Sequence, residues 1–561
     1  MDRHGHWLTR GGLALAAALP AAFLAIFFVW PVGSIIARGV LVDGAVDLGG
    51  FAETLGSTRT LRVIGQTLAQ SVVGTTLAVL LGLPGAYLLY RCRFPGRGAV
   101  RALVTVPFVL PTVVVGVAFR SLLVDGGPLG VLGADGTFGA VVAALVFFNY
   151  AVVVRTVGAM WAHLDPRAEQ AARALGASPS RAFREVTLPA LAPAIASAAS
   201  LVFLFCATAF GTVLVLGGPA YGTVETEIWV QTTQFLDLRT AAVLSTVQLL
   251  VVTASLVVSG WSRRRRETAL QIQTDTDTAH RVRRADLPAV LVTTLAVLGL
   301  LAPLASLLAG SLRTPTGVSL DNFANLASTG SGASAGDGLG SGLEVSVWQA
   351  ALNSLRIAVD ATWIAMLVGV LICLLVSRRP RRPAARRLVG AFDAAFMLPL
   401  GVSAVTVGFG FLITLDRPPL DLRSSAVLVP IAQAVVAVPL VIRTLLPVLR
   451  SVDQRLREAA AVLGASPARV FAAVDLPVLG RSLGLAVGFA FAVSLGEFGA
   501  TSFLARPDRP TLPVVIFRLI GRPGADNLGM ALAASVVLAT ITTVVIGLAE
   551  RLRVQSAGVE L

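Results

Sequence analysis

Apolar positions along the chain gather into long runs, and short polar stretches separate them. Runs near 66–90, 100–123, 137–160, 192–216 and 240–261 each predict one helix, as do 287–310, 350–376, 388–415, 424–446, 482–504 and 528–549. Each is close to the ~20 residues that a bilayer's hydrocarbon core requires. A further apolar run, Leu13 to Trp30, follows a short basic lead. Its small residues imitate a signal-peptide cleavage site, but with so many spans behind it we read it as a retained first helix. The pattern therefore predicts twelve membrane-spanning helices.

Two of the polar stretches are copies of each other. Asp165 to Pro189 reads DPRAEQAARALGASPSRAFREVTLP, and Asp453 to Pro477 reads DQRLREAAAVLGASPARVFAAVDLP. Gly176 pairs with Gly464, and Pro189 with Pro477, each 288 positions on. Asp165 suits a helix N-cap and Pro166 the first helical position. Ala, Gln, Arg and Leu then favour helix up to Leu175, where Gly176 can adopt the left-handed conformation that ends it. Ser178 and Pro179 open a second helix, and Asp453, Gly464, Ser466 and Pro467 repeat the scheme. Each island is expected to form two short helices with a sharp turn between them. Phe183 and Phe471 occupy matching places in the second helix.

The same offset relates Pro111 to Pro399, Arg155-Thr156 to Arg443-Thr444, and Phe210-Gly211 to Phe498-Gly499. This is a parallel repeat of six spans per half. The expected organisation is a first half over 1–261, a polar, basic and flexible linker over 262–286, and a second half over 287–561. A Gly- and Ser-rich stretch, 328–343, reads as a mobile outer loop.

Composition narrows the class. The chain is 55% hydrophobic with only 14% charged residues, which excludes an ordinary soluble domain. The net charge of +14 raises nucleic acid as a partner, but charge placement argues against it. All 45 basic residues are Arg. With both termini placed in the cytoplasm, thirty of them fall in cytoplasmic segments, eleven in outer loops and four within spans or at their ends. That bias puts both islands in the cytoplasm. The weakest point is the last outer loop, with Arg506, Arg509, Arg518 and Arg522. Because the chain has no Lys, it cannot form a G-x-x-x-x-G-K-[ST] phosphate loop. Cys92, Cys206 and Cys373 lie in or beside apolar runs and suggest no disulfide or metal framework; no cofactor is expected.

The islands resemble the cytoplasmic loop of the inner-membrane permeases of binding-protein-dependent ABC importers. That loop reads E-A-A, three residues, G, nine residues, I-x-L-P. The first copy has Gln170-Ala171-Ala172, Gly176 and Val186 to Pro189; the second has Glu458-Ala459-Ala460, Gly464 and Val474 to Pro477. The first copy departs by carrying Gln170, with Glu169 one position earlier. The resemblance covers nearly the whole chain. It implies an all-α polytopic membrane protein, the type I ABC importer transmembrane fold, with about twelve helices in two halves. It also implies multi-pass placement in the bacterial inner membrane, two copies of a separate ATPase subunit and an extracytoplasmic substrate-binding protein. The permease itself then catalyses no covalent chemistry. On this reading Glu169, Gln170, Ala171, Gly176, Phe183 and Pro189, with Glu458, Ala459, Gly464, Phe471 and Pro477, couple to the ATPases.

Two acids within predicted spans are candidates for the substrate path. Glu497 lies in SLGEFGATSF and Asp360 in the eighth span. An acid at such depth costs ~2.5–3.5 kcal/mol on insertion scales and normally faces a partner or an aqueous path. Pairing with Arg, or capping of a helix end, explains Glu497 equally well. The segments 494–517 and 206–229 resemble thiamine importer permeases, and ferric-iron importer permeases share the fused two-half plan. Thiamine is therefore the expected substrate, with ferric iron as the alternative. A membrane-embedded enzyme would need clustered His, Asp or Ser in the spans, which the sequence does not offer. An ion-coupled secondary transporter would have no use for two matched docking loops.

Overall fold

Breaks at Pro111, and just after Pro399, mark where this helical fold departs from a bundle of straight spans. The computed structural model describes residues 17–42, 44–218, 221–264, 279–315, 317–329, 343–377, 383–416 and 420–554. Among these residues, nine helices are long and apolar enough to cross a membrane, and two bent pairs raise the number to eleven. The long helices include Ala17–Val40, Thr58–Arg91, Phe138–Ala162, Pro179–Ala207, Arg284–Leu312, Val347–Val376 and Leu428–Ser451. This is an all-α polytopic membrane protein.

The predicted continuous span 100–123 is in fact two helices, Arg97–Val109 and Thr112–Leu123, turned by 104°. Leu110, held extended at φ −67° and ψ 140°, is the residue before Pro111, and proline excludes its predecessor from the helical region. Near the equivalent Pro399 the predicted span 388–415 also divides, into Pro383–Met397 and Ala404–Thr414, but there the proline sits within a 3-10 turn, Leu398–Gly401, and the chain turns extended only at Val402. The spans predicted over 192–216 and 482–504 also end early, at Ala207 and Gly496, and short helices follow each.

The first helix of each copy lies on the other copy. Cβ atoms at Gly410 would sit 3.0 Å from Pro31 and 3.2 Å from Ile35, so the first span packs directly against Ala404–Thr414. Leu287–Leu312 packs against Thr58–Arg91 and Thr112–Leu123 of the first copy, where the Ser121 hydroxyl donates to Ser306 at 3.0 Å. Ile35, Val113 and Phe210 therefore share one core with Val347, Phe409 and Leu512.

Small hairpins expose a change of register in the repeat. Strand β1 (Leu41–Val42) pairs with β2 (Ala45–Val46), and the same two-residue pairing recurs in the second copy 272 positions on, at Arg313–Thr314 and Gly317–Val318. From Pro111 onward the offset is 288. The step of sixteen equals the length of the Gly- and Ser-rich stretch 328–343, so that stretch is an insertion into the second copy. Most of it, 330–342, lies outside the described residues, as does 265–278 of the linker. The described end of the linker is not free. His280–Arg281 forms a strand that pairs in parallel with Cys92–Arg93 of the first copy.

Candidate functional site

Two sites emerge, a buried layer where the copies meet and the pair of polar loops. In the layer, Phe210 stacks on its own equivalent, Phe498, with ring centroids 5.4 Å apart and planes at 19°. Trp229 meets its equivalent, Phe517, edge-on at 5.7 Å, and Phe517 also contacts Phe498 at 5.4 Å. A residue that touches its own counterpart must lie close to the axis relating the copies. The four rings thus form a continuous aromatic ladder along that axis. Gly211 makes room for it, since a Cβ there would come within 3.2 Å of Phe498 and 2.5 Å of Thr112 Oγ1.

Glu497 belongs to this layer but is not inside a helix, as the sequence suggested. It follows the last turn of Leu476–Gly496 with φ −67° and ψ 126°. Its Oε1 accepts from the Ala500 amide at 2.7 Å and its Oε2 from the Thr501 amide at 3.0 Å and the Thr501 hydroxyl. The carboxylate therefore caps the short helix Thr501–Leu504 and closes the break in the chain. The flanking residues contact the other copy: a Cβ on Gly496 would lie 3.1 Å from Pro111, and Phe498 stacks on Phe210. Asp360 is elsewhere. It sits on the exposed face of Val347–Val376, one turn from the equally exposed Arg356, and takes no part in the layer.

The sequence reading missed a second buried acid. Glu225 is fully buried in the first turn of Val224–Thr233. Its Oε2 accepts from the Ser403 hydroxyl of the second copy at 2.8 Å, and its Oε1 from the Gln248 side chain at 3.0 Å. It is a direct polar link between the copies. Helix Val224–Thr233 falls in a stretch of mixed polarity, so hydropathy gave no reason to bury this acid.

Each polar loop begins with a short helix, Arg167–Ala174 or Gln454–Val462. Asp165 and Asp453 accept from the amides of Arg167 and Arg455, both at 2.9 Å. Gly176 and Gly464 follow in the left-handed region, with φ +90° and +81° and open space at Cβ. The expected second short helix is not separate. Pro179–Ala182 runs through a π-turn, Phe183–Thr187, straight into the next span; 467–480 likewise passes through Phe471–Asp475, but its span then bends by 56° between Gly480 and Ser482. Pro189 and Pro477 have no N–H with which to continue the α-helical ladder, and a wider turn precedes each of them.

Phe183 stacks on Trp161 of its own copy at 6.0 Å, and Phe471 is likewise partly buried. The apolar side chains that the loops present outward include Leu175 and Leu463, equivalent residues 89% and 87% exposed, one before each turn glycine; the second loop adds Val462 and Leu456. Glu169 faces inward to its own loop, accepting from the Thr187 hydroxyl at 3.0 Å. Gln170, Ala171, Glu458 and Ala459 lie along the same short helices.

Paired, identically built loops on a helical membrane scaffold whose copies meet along an axis define a transport permease. Residues 74–267 match the family model described as the binding-protein-dependent transport system inner membrane component. The matched residues are of this family, and the chain as a whole is an ABC importer permease. It is 27% identical over 548 residues to the thiamine transport system permease protein ThiP of Brucella abortus, covering 94% of this chain and 95% of that protein. The protein of the same name from Escherichia coli is 28% identical over 466 residues, covering 81% and 82%. The sulfate transport system permease protein CysT of Salmonella typhimurium is 36% identical over 158 residues, covering 27% of this chain and 57% of that one. A solved bacterial ABC transporter involved in alginate import aligns with 48% of this chain at 18% identity and a TM-score of 0.41.

Proposed function

We propose that this permease imports thiamine. The observation that carries the reading is the end-to-end likeness to proteins named for thiamine transport, which runs through both copies rather than one. The chemistry of the layer supports it. Thiamine joins two aromatic rings and a fixed positive charge. The ladder Phe210, Phe498, Phe517 and Trp229 offers aromatic faces to both features. Glu225 places a carboxylate where the copies meet, which suits a cation better than sulfate. Trp229 Nε1, buried without a partner among the described residues, adds an unused donor.

On this reading the chain divides into halves over 1–261 and 287–561, with both termini and both loops in the cytoplasm. An ABC ATPase subunit engages each loop, and a substrate-binding protein delivers thiamine to the opposite face. Closure of the ATPases moves the loops, the stacked rings separate along the axis, and the path opens. The left-handed glycines fix the angle at which each loop helix meets its ATPase, and Leu175 and Leu463 supply the apolar contact.

Reconstitution with the ATPase and the binding protein in liposomes tests this. ATP-dependent uptake of labelled thiamine is expected. Uptake of sulfate or of a ferric complex in its place overturns the substrate, and uptake without ATP overturns the coupling. Cysteines introduced at Ala177 and Ala465 test sidedness: labelling by an impermeant reagent from outside intact cells overturns it.

A further inference from the structure

One cluster of metal-binding side chains lies outside both sites, where the linker enters the second copy. Cys92 ends the second span, His280 opens the strand after the linker, and Asp286 precedes Leu287–Leu312. In sequence Cys92 is 188 positions from His280, so no spacing motif announces the group. The parallel pairing of β3 (Cys92–Arg93) with β4 (His280–Arg281) sets Cys92 directly opposite His280. The turn at Arg284–Asp286 then returns Asp286 to the same spot, anchored by the Arg283 amide donating to its Oδ2 at 2.8 Å.

The three ligand atoms lie within 4.8 Å of one another. Cys92 Sγ is 3.9 Å from His280 Nε2, and Asp286 Oδ2 is 3.4 Å from the same nitrogen. That shared nitrogen matters. In a nucleophile–base–acid relay the imidazole uses one ring nitrogen for the thiol and the other for the carboxylate. Here both approach Nε2, which is convergence on a point rather than a chain. A tetrahedral ion with bonds of ~2.3 Å to sulfur and ~2.0–2.2 Å to nitrogen and oxygen holds its ligand atoms roughly 3.3–3.7 Å apart. The His280–Asp286 pair already has that spacing, the Cys92–His280 pair needs to close by a few tenths of an ångström, and no pair exceeds 4.8 Å. Cys92 and Asp286 are buried and His280 is partly exposed, leaving one open side. The Tyr87 hydroxyl donates to Asp286 Oδ1 at 2.7 Å and so holds the carboxylate with Oδ2 toward the cluster.

We propose that Cys92, His280 and Asp286 bind one divalent transition-metal ion, of the zinc class that thiolate, imidazole and carboxylate together select. The thiol releases its proton to solvent as the sulfur–metal bond forms, and neutral His280 uses the Nε2 lone pair with its proton on Nδ1. The ion fastens the end of the linker to the first copy, so it sets where the second copy begins.

The test uses the full chain in detergent, with any affinity tag removed and metals stripped. Titration with Co²⁺ should give a thiolate-to-metal charge-transfer band that saturates at one ion per chain, and Zn²⁺ should bleach it. Cys92→Ser should abolish the band although Cys206 and Cys373 remain. His280→Gln changes a partly exposed side chain and should weaken binding at least ~10-fold. The unaltered protein should also melt at a higher temperature with Zn²⁺ than with a chelator. A band that survives Cys92→Ser, or its absence from the unaltered protein, overturns the proposal. So does a melting temperature indifferent to Zn²⁺.

Discussion

The two polar loops share one backbone and differ in what fastens it. In the first, the Thr187 hydroxyl donates to Glu169 at 3.0 Å, joining the short helix to the π-turn. In the second, the equivalent positions hold Arg457 and Asp475, an ion pair at 2.8 Å. Arg457 also reaches back to the Leu449 carbonyl at 3.0 Å. Position 169 has changed from acid to base and position 187 from hydroxyl to acid, yet the contact persists. The duplicated feature is therefore the angle between loop helix and span, and the chemistry that locks it was free to change.

That difference predicts unequal fragility, and it sets the largest expected effect. The ion pair is mostly buried, with side chains 20% and 11% exposed. Arg457→Ala strands the Asp475 carboxylate and should cost about 2–3 kcal/mol, whereas Thr187→Ala in the first loop should cost about 1 kcal/mol. Hydrogen exchange of the two loops in one sample would read both. Equal protection losses would mean that the ion pair adds nothing over the hydroxyl. Grafting the second lock onto the first, Glu169→Arg with Thr187→Asp, should restore a functional loop, while either change alone should not.

The two buried acids of the inter-copy layer offer a sharper contrast. Both Glu497 oxygens are occupied by donors, so Glu497→Gln turns an amide NH₂ toward an N–H or a hydroxyl. A loss of about 1–3 kcal/mol should follow, seen as reduced yield or a lower melting temperature. Glu225 receives from Ser403, whose hydroxyl can rotate to accept instead, and from Gln248. Glu225→Gln should therefore accumulate normally and show its effect in uptake alone. If Glu497→Gln is as stable as the unaltered chain, the cap is dispensable. If Glu225→Gln transports thiamine at the unaltered rate, its charge plays no part in the path.

A smaller loss is expected at the turns. Nothing lies near the Cβ position of Gly176 or Gly464, so Gly→Val adds no collision and tests the left-handed backbone alone. The cost is ~1–2 kcal/mol per turn, a factor of about 5–30 in the population of the working geometry. Uptake and substrate-stimulated ATP hydrolysis should fall together while the protein still inserts. Gly464→Val should reduce them at least as much as Gly176→Val. Full uptake by the double variant would remove the turns from coupling.

Much of this was legible from the residues because the signals were local. A glycine after a helix-favouring run, and Ser-Pro two residues later, foretold the turns at Gly176 and Gly464. The constant offset foretold equivalent elements. Hydropathy, however, averages over breaks, so it joined helices that separate at Pro111 and at Val402, and placed Glu497 inside a helix that ends one residue before it. Both prolines were visible; only the consequence of Pro111 for the residue before it was left unused. Contacts between distant segments had no local signal. Glu225 meeting Ser403, Phe210 meeting Phe498 and Cys92 meeting His280 all depend on how the copies pack. Exposure likewise had no local signal: Phe183 stacks on Trp161, while Leu175, Val462 and Leu463 stand in the open.

Those leucines give the finest test of the comparison. They are equivalent, almost wholly exposed, and each stands immediately before its turn glycine. A large apolar side chain held in that way contributes nothing to its own fold, so Leu175→Ala and Leu463→Ala should each change stability by less than about 0.5 kcal/mol. Burial of the same side chain against an ATPase groove is worth roughly 1.5–3 kcal/mol, which truncation to alanine would partly remove. The expected pattern is an unchanged melting temperature with weaker retention of the ATPase subunit on purification. Because the second loop also exposes Val462 where the first has Ala174, Leu463→Ala should weaken retention no more than Leu175→Ala. A larger loss for Leu463→Ala would show that the ATPases read the locks as well as the turns, and no loss in either would move the contact to the charged face of the loop helices.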